Sequence, residues 1–456
     1  MNNNFETLTN INPDLLSTIL KFGFPSMTEI QAKTLPSTLL GNDMIAKAKT
    51  GSGKTLAFGI PILNKLNTAN FAIQTIILAP TRELANQISD ELKLLAKFKH
   101  NIKILTLCGG VPYGPQVHSL SHRAHIIVGT PGRILKHLKE DNFSPNQINT
   151  LVLDEADRML DMGFFEDINL IIDYLPKERQ TMLFSATYPP NIEKLSRNIM
   201  INPVIVEAQS VHEEEKISQV FYKSDIEHKK ENLLKILDFY QPNSAIIFCN
   251  MKIDCDNLAI ELEKYDIFAL VLHSDLEQKD RDETITLFSN KSYKILIATD
   301  VASRGLDIDD VELVLNYSLP KDLEVYTHRI GRTARAGKTG HAVSFVENSD
   351  ISIFEDLTYD THNTLENVDF KESTQYDDTP LFKTIFINGG KKQKLSRGDI
   401  LGALTAGLGF DKNQIGKIDI KDNCSYVALD PKIAKRVRDG LETNKIKGRL
   451  YRVYLK

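Results

Sequence analysis

Tryptophan is absent from these 456 residues, and cysteine is scarce: Cys108, Cys249, Cys255 and Cys424 are scattered, with no C-x-x-C pair. Scattered thiols argue against a disulfide framework or a thiolate zinc site and suit a reducing, cytoplasmic setting. No apolar run approaches the ~20 residues that a bilayer-spanning helix needs, so no membrane segment is expected. The start, Met1-Asn2-Asn3-Asn4-Phe5-Glu6, has neither a basic n-region nor an apolar h-region, and no secretory signal is expected. What is present is ordinary globular composition, 42% hydrophobic and 25% charged. The length allows about three domains.

The net charge of −5 conceals an uneven distribution. Residues 379–456 carry 17 Lys/Arg against 7 Asp/Glu, a net of +10; the preceding residues carry 38 against 53, a net of −15. A basic tail on an acidic body is the electrostatic footprint of a segment that meets nucleic acid.

Through residue 345, short apolar runs alternate with amphipathic stretches. Ile73–Ala79, Ile102–Leu107, His125–Val128 and Thr150–Leu153 read as strands buried on both faces of a parallel sheet, and Glu83–Phe98 as a helix between two of them. After the charged joint His212–Lys216 the pattern restarts, with strands expected at Ala245–Phe248, Phe268–Leu272, Lys294–Thr299 and Glu312–Leu315. Two similar α/β units follow from this. Only the first has a glycine-rich loop; after Ala245–Phe248 the second continues Cys249-Asn250-Met251-Lys252. Residues 347–378 hold ten Asp/Glu and one Lys, in part a tether. Beyond them the expected order is strand Phe382–Asn388, helix Asp399–Leu408, strands Ile415–Ile420 and Ser425–Leu429, helix Pro431–Leu441, strand Arg449–Leu455. That β-α-β-β-α-β order is a split βαβ, the plan of an RNA-recognition fold.

Two stretches carry chemistry. In Ala48-Lys49-Thr50-Gly51-Ser52-Gly53-Lys54-Thr55 the glycines let the backbone aim its N–H groups at phosphate oxygens. Lys54 supplies a cation to the β- and γ-phosphates, and Thr55 a hydroxyl to Mg2+. About a hundred residues later, Asp154-Glu155-Ala156-Asp157 ends the apolar run Thr150–Leu153. Acids at the carboxyl end of a buried strand stand where open α/β sheets bind ligands. Asp154 would hold Mg2+ through water, and Glu155 would orient or deprotonate the attacking water. Together the stretches imply binding and hydrolysis of a nucleoside triphosphate.

The chain resembles the DEAD-box RNA helicases over roughly residues 5–345. Phe5 with Gly23-Phe24-Pro25-Ser26-Met27-Thr28-Glu29-Ile30-Gln31 is similar to their adenine-recognising Q motif, with Met27 where Pro is usual. The resemblance implies that Phe24 stacks on the base while Thr28 and Gln31 serve its edge. The 48–55 loop matches the family's own variant, with Ala48 for the general first glycine. Pro80-Thr81-Arg82-Glu83-Leu84-Ala85, Gly109-Gly110 and Thr130-Pro131-Gly132-Arg133 match its first RNA motifs, and Ser185-Ala186-Thr187 the motif that links hydrolysis to strand separation. Gln278-x-x-Arg281, Ala298-Thr299-Asp300, Arg304-Gly305-Leu306-Asp307 and His328-Arg329-Ile330-Gly331-Arg332-Thr333-Ala334-Arg335 match in the second unit, with Ala334 where Gly is common. The implied RNA contacts are Thr81, Arg82, Gly110, Thr130, Gly132, Arg133, Arg281 and Thr299. Asp307 would meet the ribose, and Arg332 and Arg335 would act as arginine fingers when the units close. Hydroxyls, backbone N–H groups and guanidinium groups grip a sugar-phosphate backbone without reading bases.

In the tail, Ile387-Asn388-Gly389-Gly390-Lys391-Lys392, Gly398–Leu404 and Ile415-Gly416-Lys417-Ile418 resemble the C-terminal domain of the bacterial DbpA-type helicases. This implies a structured large-subunit ribosomal RNA element as target and a place in ribosome assembly on pre-ribosomal particles. Lys391, Lys392, Lys394, Tyr426, Lys447 and Arg449 are the candidate tail contacts. Tyr426 is the one aromatic in the strand where such folds carry a stacking motif, so stacking of several bases is not expected. The expected architecture is two RecA-like parallel-sheet domains in tandem, 1–209 (Q motif within 3–31) and 215–365. An acidic linker, 366–379, and a small α+β RNA-recognition-like domain, 380–456, follow. A cytoplasmic monomer using ATP and Mg2+ on RNA is the leading expectation. An ATP-gated RNA clamp or scaffold, and a DNA-translocating relative, stay open.

Overall fold

The computed structural model describes residues 3–24, 26–48, 51–208, 217–300, 311–334, 339–359, 363–370 and 375–456. The chain divides into two compact units, with the main division along the sequence after residue 211. The joint expected at His212–Lys216 lies outside the described residues.

The first unit is built on seven strands: β1 (Met44–Lys47), β2 (Thr75–Leu78), β3 (Ile104–Leu107), β4 (Ile126–Gly129), β5 (Thr150–Leu153), β6 (Gln180–Ser185) and β7 (Val204–Glu207). They lie in the order β3-β4-β2-β5-β6-β1-β7, every pair parallel. Strands β2, β4, β5 and β6 are buried along their whole length, and in β2, β4 and β5 the residues accordingly form near-continuous Ile/Val/Leu runs rather than alternating ones. Helices cover both faces; Lys54–Lys65 and Arg82–Leu95 pack on one, with Phe58 edge-on to Phe184 of β6 at 5.3 Å.

In the second unit, β8 (Ile217–Lys223), β9 (Ala245–Phe248), β10 (Ala269–Leu272), β11 (Ile295–Ala298), β12 (Leu313–Asn316), β13 (Gly340–Val346) and β14 (Leu365–Asn367) form another parallel sheet. Its order, β10-β11-β9-β12-β13-β8-β14, repeats the first sheet strand for strand. The repeat corrects one sequence comparison. The phosphate loop follows β1, so its counterpart follows β8, at Ser224-Asp225-Ile226-Glu227-His228-Lys229, and not β9. That counterpart also lacks glycine. Lys229 opens the following helix as Lys54 does in the first unit, but its ammonium donates to the Tyr317 carbonyl (2.8 Å) and to Glu347 (2.5 Å).

The same unit carries a third sheet, antiparallel: β15 (Lys383–Ile387), β16 (Ile415–Ile420), β17 (Ser425–Leu429) and β18 (Val453–Leu455), ordered β16-β17-β15-β18. Helices Arg397–Gly402 and Pro431–Thr443 cover one face over Ile385, Ile387, Val427 and Leu429. The expected single helix Asp399–Leu408 is instead a short α-helix that widens into a π-turn at Ala403–Gly407. The stretch 366–379 is no free tether where it is described. Its start belongs to β14, Phe370 stacks on Phe239 (4.3 Å), and Tyr376 is buried with its hydroxyl donating to the Pro242 carbonyl (3.0 Å). Among the described residues no helix is long and apolar enough to cross a membrane.

Candidate functional site

The chain leaves β1 through Ala48, whose N–H bonds to the Ser185 carbonyl at 2.9 Å, and enters the loop. Gly51 and Gly53 sit at φ +82° and +92°, where a β-carbon is strained. A β-carbon on Gly53 would also stand 2.4 Å from the Gln31 amide nitrogen. That amide donates to the Gly53 carbonyl (3.0 Å), and its oxygen accepts the Thr28 N–H (3.0 Å). Thr28 and Gln31 therefore brace the loop's last turn, while Phe24 stays exposed on the surface. Phe5 and Met27 are core residues.

Lys54 is buried at the head of its helix. Its ammonium lies 3.2 Å from the Ala48 carbonyl and 3.9 Å from the Asp154 carboxylate, so the two distant stretches do converge. Burial pushes the Asp154 carboxyl up to about 6, against the opposing pull of Lys54. Asp154 and Thr55 suit a divalent cation that takes its remaining ligands from phosphate and water. Among the described residues no group of three or more His, Cys, Asp or Glu could hold a metal unaided.

Glu155 adopts φ +50°, a left-handed conformation that costs a non-glycine residue about 1–2 kcal/mol. Its carboxylate is held by Arg158 at 3.0 Å, both side chains buried. Asp157 accepts the N–H groups of Ala186 (3.0 Å) and Thr187 (2.9 Å) and the Thr187 hydroxyl (3.1 Å), while its own N–H donates to the Ser185 hydroxyl (3.2 Å). The fourth residue of the acidic run is thus the strap between β5 and the Ser185–Thr187 segment. Sequence reasoning gave Asp157 and Arg158 no role; membership of the run was the available signal for Asp157.

The first-unit RNA motifs meet at the carboxyl ends of β2, β3 and β4. Thr81 caps the Arg82–Leu95 helix through the Leu84 N–H (3.3 Å), and Arg82 reaches the Gly110 carbonyl (3.4 Å). The Thr130 hydroxyl accepts the Gly109 N–H (3.3 Å), and Arg133 donates to the Val111 carbonyl (3.2 Å). Gly132 has room for little more, since a β-carbon there would lie 3.2 Å from Asp167.

In the second unit Arg329 is a buried hub. It forks onto Asp300 (2.6 and 2.7 Å), reaches Asn316 Oδ1 (3.0 Å), the Ser318 carbonyl (2.7 Å) and Asn250 Oδ1 (2.9 Å), and lies 5.1 Å from the Phe248 ring. This ties the ends of β9, β11 and β12 to the helix that precedes buried Arg332. Thr299 and Arg281 are half-buried. Lys49, Thr50, Asp307 and Arg335 lie outside the described residues.

Comparison with known proteins agrees with these motifs. Residues 28–195 match the DEAD/DEAH box helicase model, 228–337 the helicase conserved C-terminal domain and 384–455 the DbpA RNA binding domain. The chain is 44% identical to the ATP-dependent RNA helicase DbpA of Escherichia coli (strain K12), over 99% of both chains. The chain belongs to the DEAD-box RNA helicases. It is also 36% identical to the DbpA of Bacillus subtilis (strain 168), over 97% of each. The solved structure of S. cerevisiae Dbp5 bound to RNA and ADP BeF3 is 31% identical, with a TM-score of 0.72 over 80% of this chain and 96% of that one. The enzyme is therefore an ATP-dependent RNA helicase of the DbpA type, with two RecA-like domains and a C-terminal RNA-binding domain.

In this helicase's tail, Lys391, Lys392, Lys394, Lys447 and Arg449 are exposed. Lys447 donates to the Lys394 carbonyl (2.8 Å) and pairs with Asp399 (3.0 Å), which brings the two lysine segments together. Tyr426 does not join them. It is buried on the opposite face of the sheet, with its hydroxyl donating to Glu283 (3.2 Å), so in this arrangement it offers no ring to a base.

Proposed function

We propose that this helicase uses Mg2+-ATP to open short RNA duplexes in 23S ribosomal RNA, guided there by its C-terminal domain during assembly of the large ribosomal subunit. The observation that carries the reading is the basic C-terminal domain, residues 384–455, matched to the DbpA RNA binding domain and following a complete helicase core. Mg2+ would neutralise charge on the β- and γ-phosphates. Asp154 and Thr55 would hold it, Lys54 would bind the phosphates, and Glu155, fixed by Arg158, would orient the attacking water. Arg332 and Arg335 complete the proposed set as charge donors to the γ-phosphate. Asp157 would pass the state of the acidic run to Ser185 and Thr187. The enzyme would work as a cytoplasmic monomer on pre-ribosomal particles. On this reading Glu155→Gln leaves ATP and RNA binding near wild type and lowers ATP turnover by about a hundredfold or more, read by steady-state hydrolysis and by binding of a fluorescent nucleotide. Near-normal turnover would remove Glu155 from its role. A ribosomal RNA fragment that stimulates hydrolysis no better than an unrelated RNA of equal length would overturn the proposed target.

A further inference from the structure

Tyr113 belongs to none of the motifs read from the sequence. It follows the turn at Gly109-Gly110 and opens the helix Tyr113–Ser121. Its side chain lies against the neighbouring helix Pro131–Lys139, the one that starts with the Thr130–Arg133 motif. The partners there are Arg133, Lys136, His137 and Glu140, spaced i, i+3, i+4 and i+7, a single stripe along two turns. The Arg133 guanidinium lies 5.4 Å, and the Lys136 ammonium 4.4 Å, from the centre of the Tyr113 ring. The His137 ring stacks on it at 4.5 Å. The phenol hydroxyl donates to Glu140 (2.8 Å) and accepts from the Asn142 amide (2.7 Å).

The base of this stack is anchored and uncharged. His137 is buried beside Gln116, whose amide donates to the Cys108 carbonyl just past β3 (3.0 Å). Burial, and after it the Arg133 charge, lowers the His137 ring to about 4, so a neutral imidazole stands beside the two cations at neutral pH. The face of the Tyr113 ring attracts cations through its quadrupole. Arg133 is thereby held without being used up. Among the described residues its hydrogen bond is a single one, from Nη1 to the Val111 carbonyl (3.2 Å), although a guanidinium carries five N–H donors. Arg329, by contrast, donates through Nε and both Nη nitrogens to oxygens of Asn250, Asp300, Asn316 and Ser318. Both arginines are fixed in place, and of the two Arg133 keeps donors for a phosphate.

We propose that Tyr113 is a positioning residue for RNA: its ring, clamped by His137, Glu140 and Asn142, holds the Arg133 guanidinium in the orientation that meets the sugar-phosphate backbone. The inference rests on the reading of Arg133 as an RNA contact. Its consequence is specific. An arginine ordered in advance loses less side-chain freedom on binding, so removing the ring weakens the grip on RNA of any sequence even though Tyr113 touches no RNA itself.

The test uses the full chain and polyuridine, an RNA without ribosomal sequence, so its outcome is separate from that of the 23S target. Tyr113→Leu removes the π face and keeps apolar bulk, whereas Tyr113→Phe keeps the face and loses only the hydroxyl bonds. Tyr113→Leu is expected to raise the KM for polyuridine in ATP hydrolysis about fivefold, with kcat at saturating RNA within about twofold of wild type. Tyr113→Phe is expected to stay within about twofold of wild type in both constants. Arg133→Ala is expected to raise the same KM about tenfold. In the Arg133→Ala background Tyr113→Leu should then add less than about twofold, because the group it positions is gone. Equal effects of Tyr113→Leu in the two backgrounds would overturn the proposal, as would an unchanged KM in Tyr113→Leu or a Tyr113→Phe chain as weak as Tyr113→Leu. A fall in kcat with KM unchanged would show a merely structural role and overturn it too. An unchanged KM in Arg133→Ala would remove Arg133 from RNA contact, and the role of Tyr113 with it, while leaving the ribosomal target standing.

Discussion

His137 shows how a single residue ties pH to the first domain. The ring is buried, its Nε2 lies 3.2 Å from Gln116 Oε1, and it stacks on Tyr113 at 4.5 Å. Burial lowers its pKa to about 4, so the folded chain binds fewer protons here than the unfolded chain between pH 6.5 and 4. The resulting stability is present above pH 6.5 and is lost as pH falls toward 4. It is on the order of a few kcal/mol, since one pKa unit is about 1.4 kcal/mol. Urea unfolding of the first domain should therefore show a falling midpoint over that range, and His137→Gln should flatten the dependence. At this scale the sequence was informative wherever function follows from neighbours in the chain. Lys54 and Asp154 were assigned from local pattern, and they converge. Arg329 was not assigned more than motif membership, because its partners come from three separated segments, at Asn250, Asp300 and Asn316–Ser318.

At the scale of elements, the phosphate loop and the Q-motif helix behave as one piece. Gly53 cannot take a side chain without displacing the Gln31 amide, and its φ of +92° strains any β-carbon. Gly53→Ala should weaken ATP binding by about tenfold or more, with a stability loss of about 1–3 kcal/mol, measured by nucleotide titration and thermal unfolding. Strands legible in the sequence were those rich in Ile, Val and Leu, such as β4, β5, β9 and β11. Those not picked out have weaker patterns: β7 and β14 are mostly exposed, β8 is largely part-buried and carries Ser and Gln, β13 opens with Gly and His, and the buried β1 and β6 mix apolar residues with Lys or with Gln, Thr and Ser. The π-turn at Ala403–Gly407 has no periodic signature that separates it from ordinary helix.

For the whole molecule, the relation of tail to core was the least legible feature. An acidic composition at 347–378 suggests solvated chain, yet Tyr376 is buried beneath Lys294, 5.6 Å from its ring. Burial of this kind depends on a surface built by residues far away in sequence. Two truncations separate the contributions. A chain ending at 379 should keep RNA-independent ATP turnover and lose its preference for the targeted RNA. One ending at 368 should in addition lose about 2–4 kcal/mol of second-domain stability through the missing Tyr376 and Phe370 rings, seen as a lower thermal midpoint.

The repeated strand order has one more consequence. Lys229 occupies the place of Lys54, and the carbonyl it bonds belongs to Tyr317, which follows β12 as Asp154 follows β5. Glu347 supplies the negative charge that a phosphate would bring. The second copy of the fold thus carries its own built-in counter-ion: a duplicated architecture in which one lysine lies beneath a glycine loop, 3.9 Å from Asp154, and its twin is neutralised closely by Glu347.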